Sequence, residues 1–366
     1  MSPTIGVLGG GQLGWMLGLA GVRLGVDLWF LDPAEDAPAA RVGHHLRAGY
    51  DDIDALDELA SACDVVTYEF ENVPASAARR IAARVPVSPA VDALEISQDR
   101  LAEKQALEKA GVPVAAYEAV DSQAEVKDAL ARLGTPAVVK TRRLGYDGKG
   151  QVVVRGLADA DGVFERLGRA PAIVEAFVPF ERELSLIAVR DAGGWTAFYP
   201  PVENHHREGI LRLSKAPAVG LPETLRRRAE TYAGDLMDGL GYVGVLALEM
   251  FQVGDELLAN EIAPRVHNSG HWTIEGAGCS QFENHLRALL GLPLGSTAAR
   301  GHCGMVNLIG EVPPLGSLLD VAGAHVHVYG KRPRPERKVG HVTVCDPDPG
   351  SRDRLVESVS SYLQSP

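Results

Sequence analysis

Residues 7–16, VLGGGQLGWM, constrain the fold more than any other stretch of the chain. Gly9, Gly11 and Gly14 stand in the spacing G-x-G-x-x-G directly after an apolar run, which reads as a tight turn from a strand into a helix. Such a turn has two uses. Backbone N–H groups at the helix start can cradle a phosphate, or the missing Cβ atoms can let helix and strand approach closely. The next strand, VDLWFLDP, ends near Asp32, where a dinucleotide enzyme would place the acid that binds a ribose. On this unit alone an NAD(P) dehydrogenase, or a non-catalytic dinucleotide-binding module, stays open.

Residues 4–8 read as a strand, 12–24 as a helix and 26–33 as a second strand, and DALDELASA followed by DVVTYEF repeats the alternation. Residues 1–98 are therefore predicted to form a Rossmann-like α/β domain of parallel strands flanked by helices, with Pro86 and Pro89 near its end. A charged helix over 99–111 follows. Then PAVVKT (136–141) and GQVVVRG (150–156) read as strands around a Gly-rich charged loop, which predicts a small α+β domain over 99–171. From 172 to 366, AIVEAFVP, ELSLIAVR, VGVLALEMF and ELLANEIA predict a larger, mostly antiparallel sheet with a helix at 222–238. A small β tail, HVHVYGK and KVGHVTV, precedes an amphipathic closing helix.

The chain's 366 residues are ample for these three units. Its 36 Lys and Arg against 48 Asp and Glu give a net charge of -12, a field that repels nucleic acid. Cys63, Cys279, Cys303 and Cys345 are isolated, with no C-x-x-C pair, which favours a reduced intracellular chain and argues against structural zinc. The N-terminus has no cationic start followed by an apolar core, and no run of about 18 apolar residues occurs. The expectation is a cytoplasmic protein with neither membrane nor nucleic acid as partner.

Four further stretches carry chemistry. In VVKTRRLGYDGKGQVVV, residues 138–154, Lys140 ends a strand and a loop holding Gly145, Gly148 and Gly150 folds back. Its N–H groups, with Lys140 and Lys149, can close over a polyphosphate, although a solvated hairpin has the same pattern. In LALEMFQVGDELLANEIAPR, residues 246–265, a three-residue turn at Gly254, Asp255 and Glu256 sets Glu249 opposite Glu261. Their Cβ atoms would lie about 5 Å apart. Like charges among residues that read as buried are costly unless a hard cation bridges them, so we favour Mg²⁺ over two exposed strand carboxylates. In APRVHNSGHWT, residues 263–273, Arg265, His267, Asn268 and His271 crowd a loop broken by Ser269 and Gly270. An H-x-x-x-H zinc pair would want an unbroken helix. An anion-handling loop, with Arg265 on an oxyanion and His267 holding or moving a proton, suits it better. Finally, GKRPRPERKVGH, residues 330–341, gathers Lys331, Arg332, Arg334, Arg337 and Lys338. That cluster fits a phosphate-bearing substrate or a plain solvated turn, and is too short for a nucleic-acid track.

In this order, GGGQLG, DVVTYEFENVP, QDRLAEK, KTRRLGYDGKGQ, VPFERELS, GILRLSKAP, NEIAPRVHNSGHWT and RKVGH resemble the ATP-grasp ligases, and within them the N5-carboxyaminoimidazole ribonucleotide synthetase family. The resemblance spans nearly the whole chain. It implies an ATP-grasp fold with an N-terminal preATP-grasp domain and a lid domain. The implied reaction is ATP- and bicarbonate-dependent carboxylation of 5-aminoimidazole ribonucleotide through carboxyphosphate, in purine biosynthesis, with no nicotinamide bound. For ATP it implies Arg100 and Lys140 at the phosphates under a lid carrying Gly145, Gly148, Lys149 and Gly150. The backbone of Glu175, Ala176, Phe177 and Val178 would edge the adenine, and Glu183 would bind the ribose. Glu249 and Glu261 would hold Mg²⁺, or Mn²⁺ in its place, with Asn260 nearby. Gln12 and Glu69 would meet the ribose side of the ribonucleotide, Tyr146, Asp147 and Asn268 the imidazole side, and Lys331, Arg337 and Lys338 the 5′-phosphate. Arg265 and His267 would flank bicarbonate and, with Lys338, Tyr146 and Asp147, make up the catalytic set. A homodimer that passes its product to a mutase is also implied.

The chain departs from the family pattern twice. The family turn usually reads GQLGRM, and Trp15 removes any cationic contact made from that position. The lid usually reads RRGGYDG, and Leu144 in place of the first Gly is predicted to restrict the backbone and slow the lid. A rival within the same fold is another ATP-grasp ligase, such as a formate-dependent glycinamide ribonucleotide transformylase.

Overall fold

A computed structural model describes residues 2–145 and 149–363. Among the described residues the strands form three sheets. The first is parallel, in the order His44–Leu46, Asp27–Leu31, Thr4–Leu8, Val65–Tyr68. Val65–Tyr68 is buried along its whole length, as expected of a parallel strand covered on both faces. The helix Gln12–Leu24 turns Leu13, Met16 and Leu17 inward and ends at Gly25, whose left-handed φ of 67° caps it.

The second sheet is antiparallel, in the order Tyr117–Val120, Ala172–Ala176, Ala137–Thr141, Gln151–Val154. Here the sequence reading is corrected, because Ala172–Ala176 is an inner strand of this small sheet and not part of the large one. An apolar run records that a strand is covered, not which sheet covers it. Helix Gln123–Leu133 closes one face with Val126, Ala129 and Leu130.

The third sheet has nine antiparallel strands. Its path runs Glu256–Ala263, Gly244–Val253, Arg182–Arg190, Val202–Arg207, Ile210–Ala216, His302–Ile309, Lys338–Asp346, His325–Val328, with Thr196–Phe198 paired to Arg182–Arg190. Helix Glu223–Gly239 packs Leu225, Ala229, Ala233 and Leu236 against it. One continuous core joins Leu17, Leu28 and Phe30 of the first unit to Val245, Trp272, Phe282 and Leu286 of the third. The parallel unit is thereby packed against the large sheet, and a cleft opens where all three sheets approach.

The hairpin Gly244–Val253/Glu256–Ala263 corrects a second expectation. Its turn has two residues, Gly254 and Asp255, since Val253 pairs with Glu256. A bulge between Glu249 and Met250 then shifts the register, so that Met250 faces Ala259 but Glu249 faces Glu261. The pairing expected from a three-residue turn is therefore reached by a shorter turn plus a bulge, and Asn260 is the extra residue. Bulges re-aim side chains beside functional sites, and this one leaves Asn260 and Glu261 lining the cleft together.

Candidate active site

The cleft encloses about 940 Å³. At one end lies the glycine turn, and its N–H groups are already satisfied. Gly11 N–H donates to Glu69 Oε1 at 2.6 Å and Gly14 N–H to Oε2 at 2.8 Å, while Gly10 N–H donates to Asp32 Oδ2 at 2.8 Å. The anion at this helix start is thus the protein's own Glu69. A Cβ at Gly11 would stand 2.5 Å from Glu69 Oε1, so the glycines make room for that carboxylate. A pyrophosphate has no place there, and Asp32 is committed to the turn rather than to a ribose. The dinucleotide reading fails on these bonds. Burial pushes the Glu69 carboxyl up, and the two N–H bonds oppose the shift.

Gln12, the next side chain along, accepts a hydrogen bond of 2.6 Å from Lys331 Nζ. Burial pushes the Lys331 ammonium down to about 8, with the nearby Arg337 adding to the effect and Glu69 opposing it. Arg334, Arg337 and Lys338 line the same wall. Arg332 instead turns outward to Asp36 at 3.4 Å.

Also lining the cleft, Arg100 opens the helix Arg100–Lys109, capped by Asp99, and its Nη1 donates to Glu261 Oε2 at 3.1 Å. Lys140 Nζ donates to Glu175 Oε2 at 3.0 Å, and Lys104, only 1% exposed, donates to the Asn260 carbonyl at 3.0 Å. Burial works to raise the Glu175 carboxyl, but Lys140 and Lys104 outweigh it and hold it below its ordinary value. Glu175 therefore acts here through its side chain, as a buried counter-ion. Ala176 and Phe177 have their N–H groups on the carbonyls of Ala116 and Pro136, and residues 175–178 stand outside the cleft lining.

Glu249, Asn260 and Glu261 share one corner, and the Asn260 Oδ1 is buried without a hydrogen-bond partner. Two carboxylates and an orphaned amide oxygen form a hard donor set that fits Mg²⁺, with positions left for phosphate oxygens and water. Among the described residues no three His, Cys, Asp or Glu side chains make a metal cage by themselves. His267 Nε2 lies 3.0 Å from Glu249 Oε1. Burial works to raise the Glu249 carboxyl, and His267 overrides it and keeps it well below the usual carboxylate range. The His267 backbone is clamped by Gln281, which accepts from its N–H at 2.9 Å and donates to its carbonyl at 2.6 Å. Arg265 Nε donates to Glu71 Oε2 at 2.5 Å, and half-buried Asn268 has both side-chain polar atoms buried without a hydrogen-bond partner. His271 points away, its ring 5.0 Å from that of His341, so an H-x-x-x-H metal pair does not form.

Of the residues named from sequence, Gln12, Glu69, Arg100, Lys140, Gly145, Lys149, Glu183, Glu249, Asn260, Glu261, Arg265, His267, Asn268, Lys331, Arg337 and Lys338 line this one cleft. Gly150 stands outside the lining, turning the lid strand at a φ of 73°. Tyr146, Asp147 and Gly148 lie outside the described residues. Four residues went unread: Glu71, Glu103, Lys104 and His206. His206 Nδ1 bonds the Glu183 carboxylate, and a bulge between His205 and His206 turns it there. No sequence period encodes such a bulge. Arg100, Glu103 and Lys104, by contrast, share a helix face at spacings of three and four, and that buried charged face was a legible signal.

Three family descriptions match successive parts of the chain. They are a ribonucleotide synthetase preATP-grasp domain over residues 1–98, an ATP-grasp domain over 105–282, and a phosphoribosylaminoimidazole carboxylase C-terminal domain over 303–354. An N5-carboxyaminoimidazole ribonucleotide synthase from Pseudomonas aeruginosa is 52% identical over 99% of both chains. The solved structure of the Thermus thermophilus synthetase is 53% identical, covers 99% of both chains and superposes with a TM-score of 0.95. The Aspergillus clavatus synthase, solved in complex with ADP and 5-aminoimidazole ribonucleotide, is 32% identical, covers 99% of this chain and 98% of its own, and has a TM-score of 0.93.

Proposed function

Because the chain belongs to the N5-carboxyaminoimidazole ribonucleotide synthase family of ATP-grasp ligases, we propose that its cleft seats ATP at one end and the ribonucleotide at the other, with bicarbonate between them. The chain is an ATP-dependent ligase that carboxylates 5-aminoimidazole ribonucleotide to N5-carboxyaminoimidazole ribonucleotide in purine biosynthesis. The observation that carries the seating is the charge pattern of the one cleft. Lys331, Arg337 and Lys338 line it with Gln12 and Glu69, and Arg100, Lys140 and the Glu249/Asn260/Glu261 corner line it as well, Lys338 lying near enough to Glu249 to help lower its carboxyl.

In this reading Arg100 and Lys140 neutralise the ATP phosphates and Glu183, braced by His206, takes the ribose hydroxyls. Glu249, Asn260 and Glu261 hold Mg²⁺, which when bound screens charge on the phosphate oxygens. A bicarbonate oxygen attacks the γ-phosphorus as the bond to the β-phosphate oxygen breaks, giving carboxyphosphate and ADP. Arg265, kept in place by Glu71, orients the bicarbonate. Carboxyphosphate then releases phosphate and CO2, and the exocyclic amine of the imidazole attacks the CO2 carbon. Its proton passes to the departing phosphate, while His267, whose Nε2–H faces Glu249 Oε1 and whose Nδ1 accepts from Ser269 N–H, holds a proton rather than taking this one. The lid, with Gly145 and Lys149, keeps water from the carboxyphosphate. Lys331, Arg337 and Lys338 hold the 5′-phosphate, and Asn268 offers its unpartnered amide to the imidazole side, where the family pattern adds Tyr146 and Asp147.

No described helix is long and apolar enough to cross a membrane. Family resemblance supports a cytoplasmic homodimer that hands its product to a mutase, and sedimentation velocity checks the dimer. The function is tested by ADP release in ATP, Mg²⁺ and bicarbonate. The ribonucleotide should stimulate it strongly, and formate should not replace bicarbonate. Equal rates with and without ribonucleotide would remove the substrate assignment.

A further inference from the structure

Next to the proposed 5′-phosphate wall stands a cation with no part in that mechanism. Arg41 closes the turn Pro38–Arg41, and its Nη2 donates to the Tyr329 carbonyl at 2.7 Å while Nε reaches the Pro38 carbonyl at 3.3 Å. The guanidinium carbon lies 5.5 Å from the centroid of the Trp15 ring, and Trp15 meets Tyr329 edge-on at 6.2 Å. Gly330 sits directly against the guanidinium at a φ of +72°, where an added Cβ would stand 2.8 Å from Nη2. The residue after it is Lys331. The turn bearing Arg41 is itself tied to the glycine turn, since Ala39 N–H donates to the Gly10 carbonyl at 2.9 Å.

We propose that Arg41, seated on the Trp15 ring, is a positioning residue that fixes Lys331 for the 5′-phosphate of the ribonucleotide; this rests on the substrate assignment above. A lysine ammonium on its four-carbon stem has little directional preference of its own. Its aim is set by the backbone from which it leaves. Arg41 pins the Tyr329 carbonyl and lies against Gly330, and the left-handed φ of +72° there, which favours glycine, sends Lys331 back toward Gln12. Stacking on an aromatic face suits a guanidinium, which is weakly hydrated and keeps its charge at all working pH values. Trp15 makes no cationic contact of its own from that position, but its ring is the platform for a cation delivered from residue 41.

The test is initial-rate kinetics with the ribonucleotide varied at saturating ATP, in wild type, Arg41→Met, Arg41→Lys and Trp15→Leu. Arg41→Met should raise the ribonucleotide KM about fivefold, with kcat and the ATP KM unchanged within about twofold. Arg41→Lys should recover part of the loss, and Trp15→Leu should give a smaller rise in the same constant. If Arg41→Met melts at the assay temperature, the Arg41→Lys and Trp15→Leu values decide. An unchanged ribonucleotide KM in these variants overturns the inference, as does a parallel rise in the ATP KM, which would mark general loosening. Absence of ribonucleotide-dependent ADP release in wild type would instead overturn the substrate assignment, and this inference with it.

Discussion

Glu69 is the side chain that turns a dinucleotide-like opening into something else. It accepts from both Gly11 and Gly14, and a carboxylate can satisfy two such N–H donors at once. Glu69→Gln would set an NH2 group against one of them, and should cost about 1–3 kcal/mol of stability, the range for a buried donor left without an acceptor. Urea unfolding measures it, and a variant as stable as wild type would contradict the assignment. Lys331 makes a pH prediction. Burial lowers its folded-state value to about 8, below that of an unfolded lysine, so the unfolded chain holds more protons above pH 8 and stability rises with pH across that window. A dianionic phosphate reverses the preference and draws a proton onto Lys331. The ribonucleotide KM should therefore rise as pH passes about 8 while the ATP KM stays level, and Lys331→Arg should flatten the profile. A ribonucleotide KM that is flat with pH in wild type would count against Lys331 as a phosphate ligand.

At the scale of elements, alternating and continuous apolar runs made the strands legible, and the carboxylate pair was legible in the hairpin. What the pattern could not carry was local backbone irregularity. The register of Glu249 against Glu261 depends on a bulge that compensates for a turn one residue shorter than expected. A second bulge, between His205 and His206, is why His206 went unread. Ala172–Ala176 was legible as a strand but not as a member of the small sheet, because burial on both faces looks the same in either place. At the lid departure, Leu144 sits at a φ of 62°, 76% exposed, in a conformation that costs a non-glycine residue about 1 kcal/mol. Leu144→Gly should widen the loop's accessible conformations and raise turnover where lid motion is limiting. Turnover and ATP KM both equal to wild type would contradict this.

Across the whole molecule, a chain of net charge -12 turns most of its densest basic cluster into the cleft that also holds the paired carboxylates. Sequence motifs named most of the charged residues that line that cleft, because phosphate and metal chemistry restrict residue type. The supporting partners were harder to read. Glu71 under Arg265 and Gln281 around His267 are ordinary polar residues whose importance comes only from what the fold brings beside them. The central claim is that the Glu249/Asn260/Glu261 corner and the ribonucleotide wall serve one reaction. The most direct test is ribonucleotide-stimulated ADP release by wild type and Glu261→Gln at saturating Mg²⁺ and bicarbonate. The account predicts strong stimulation in wild type and a loss of about a hundredfold in the variant. A variant that keeps the wild-type rate and its ribonucleotide dependence would contradict it.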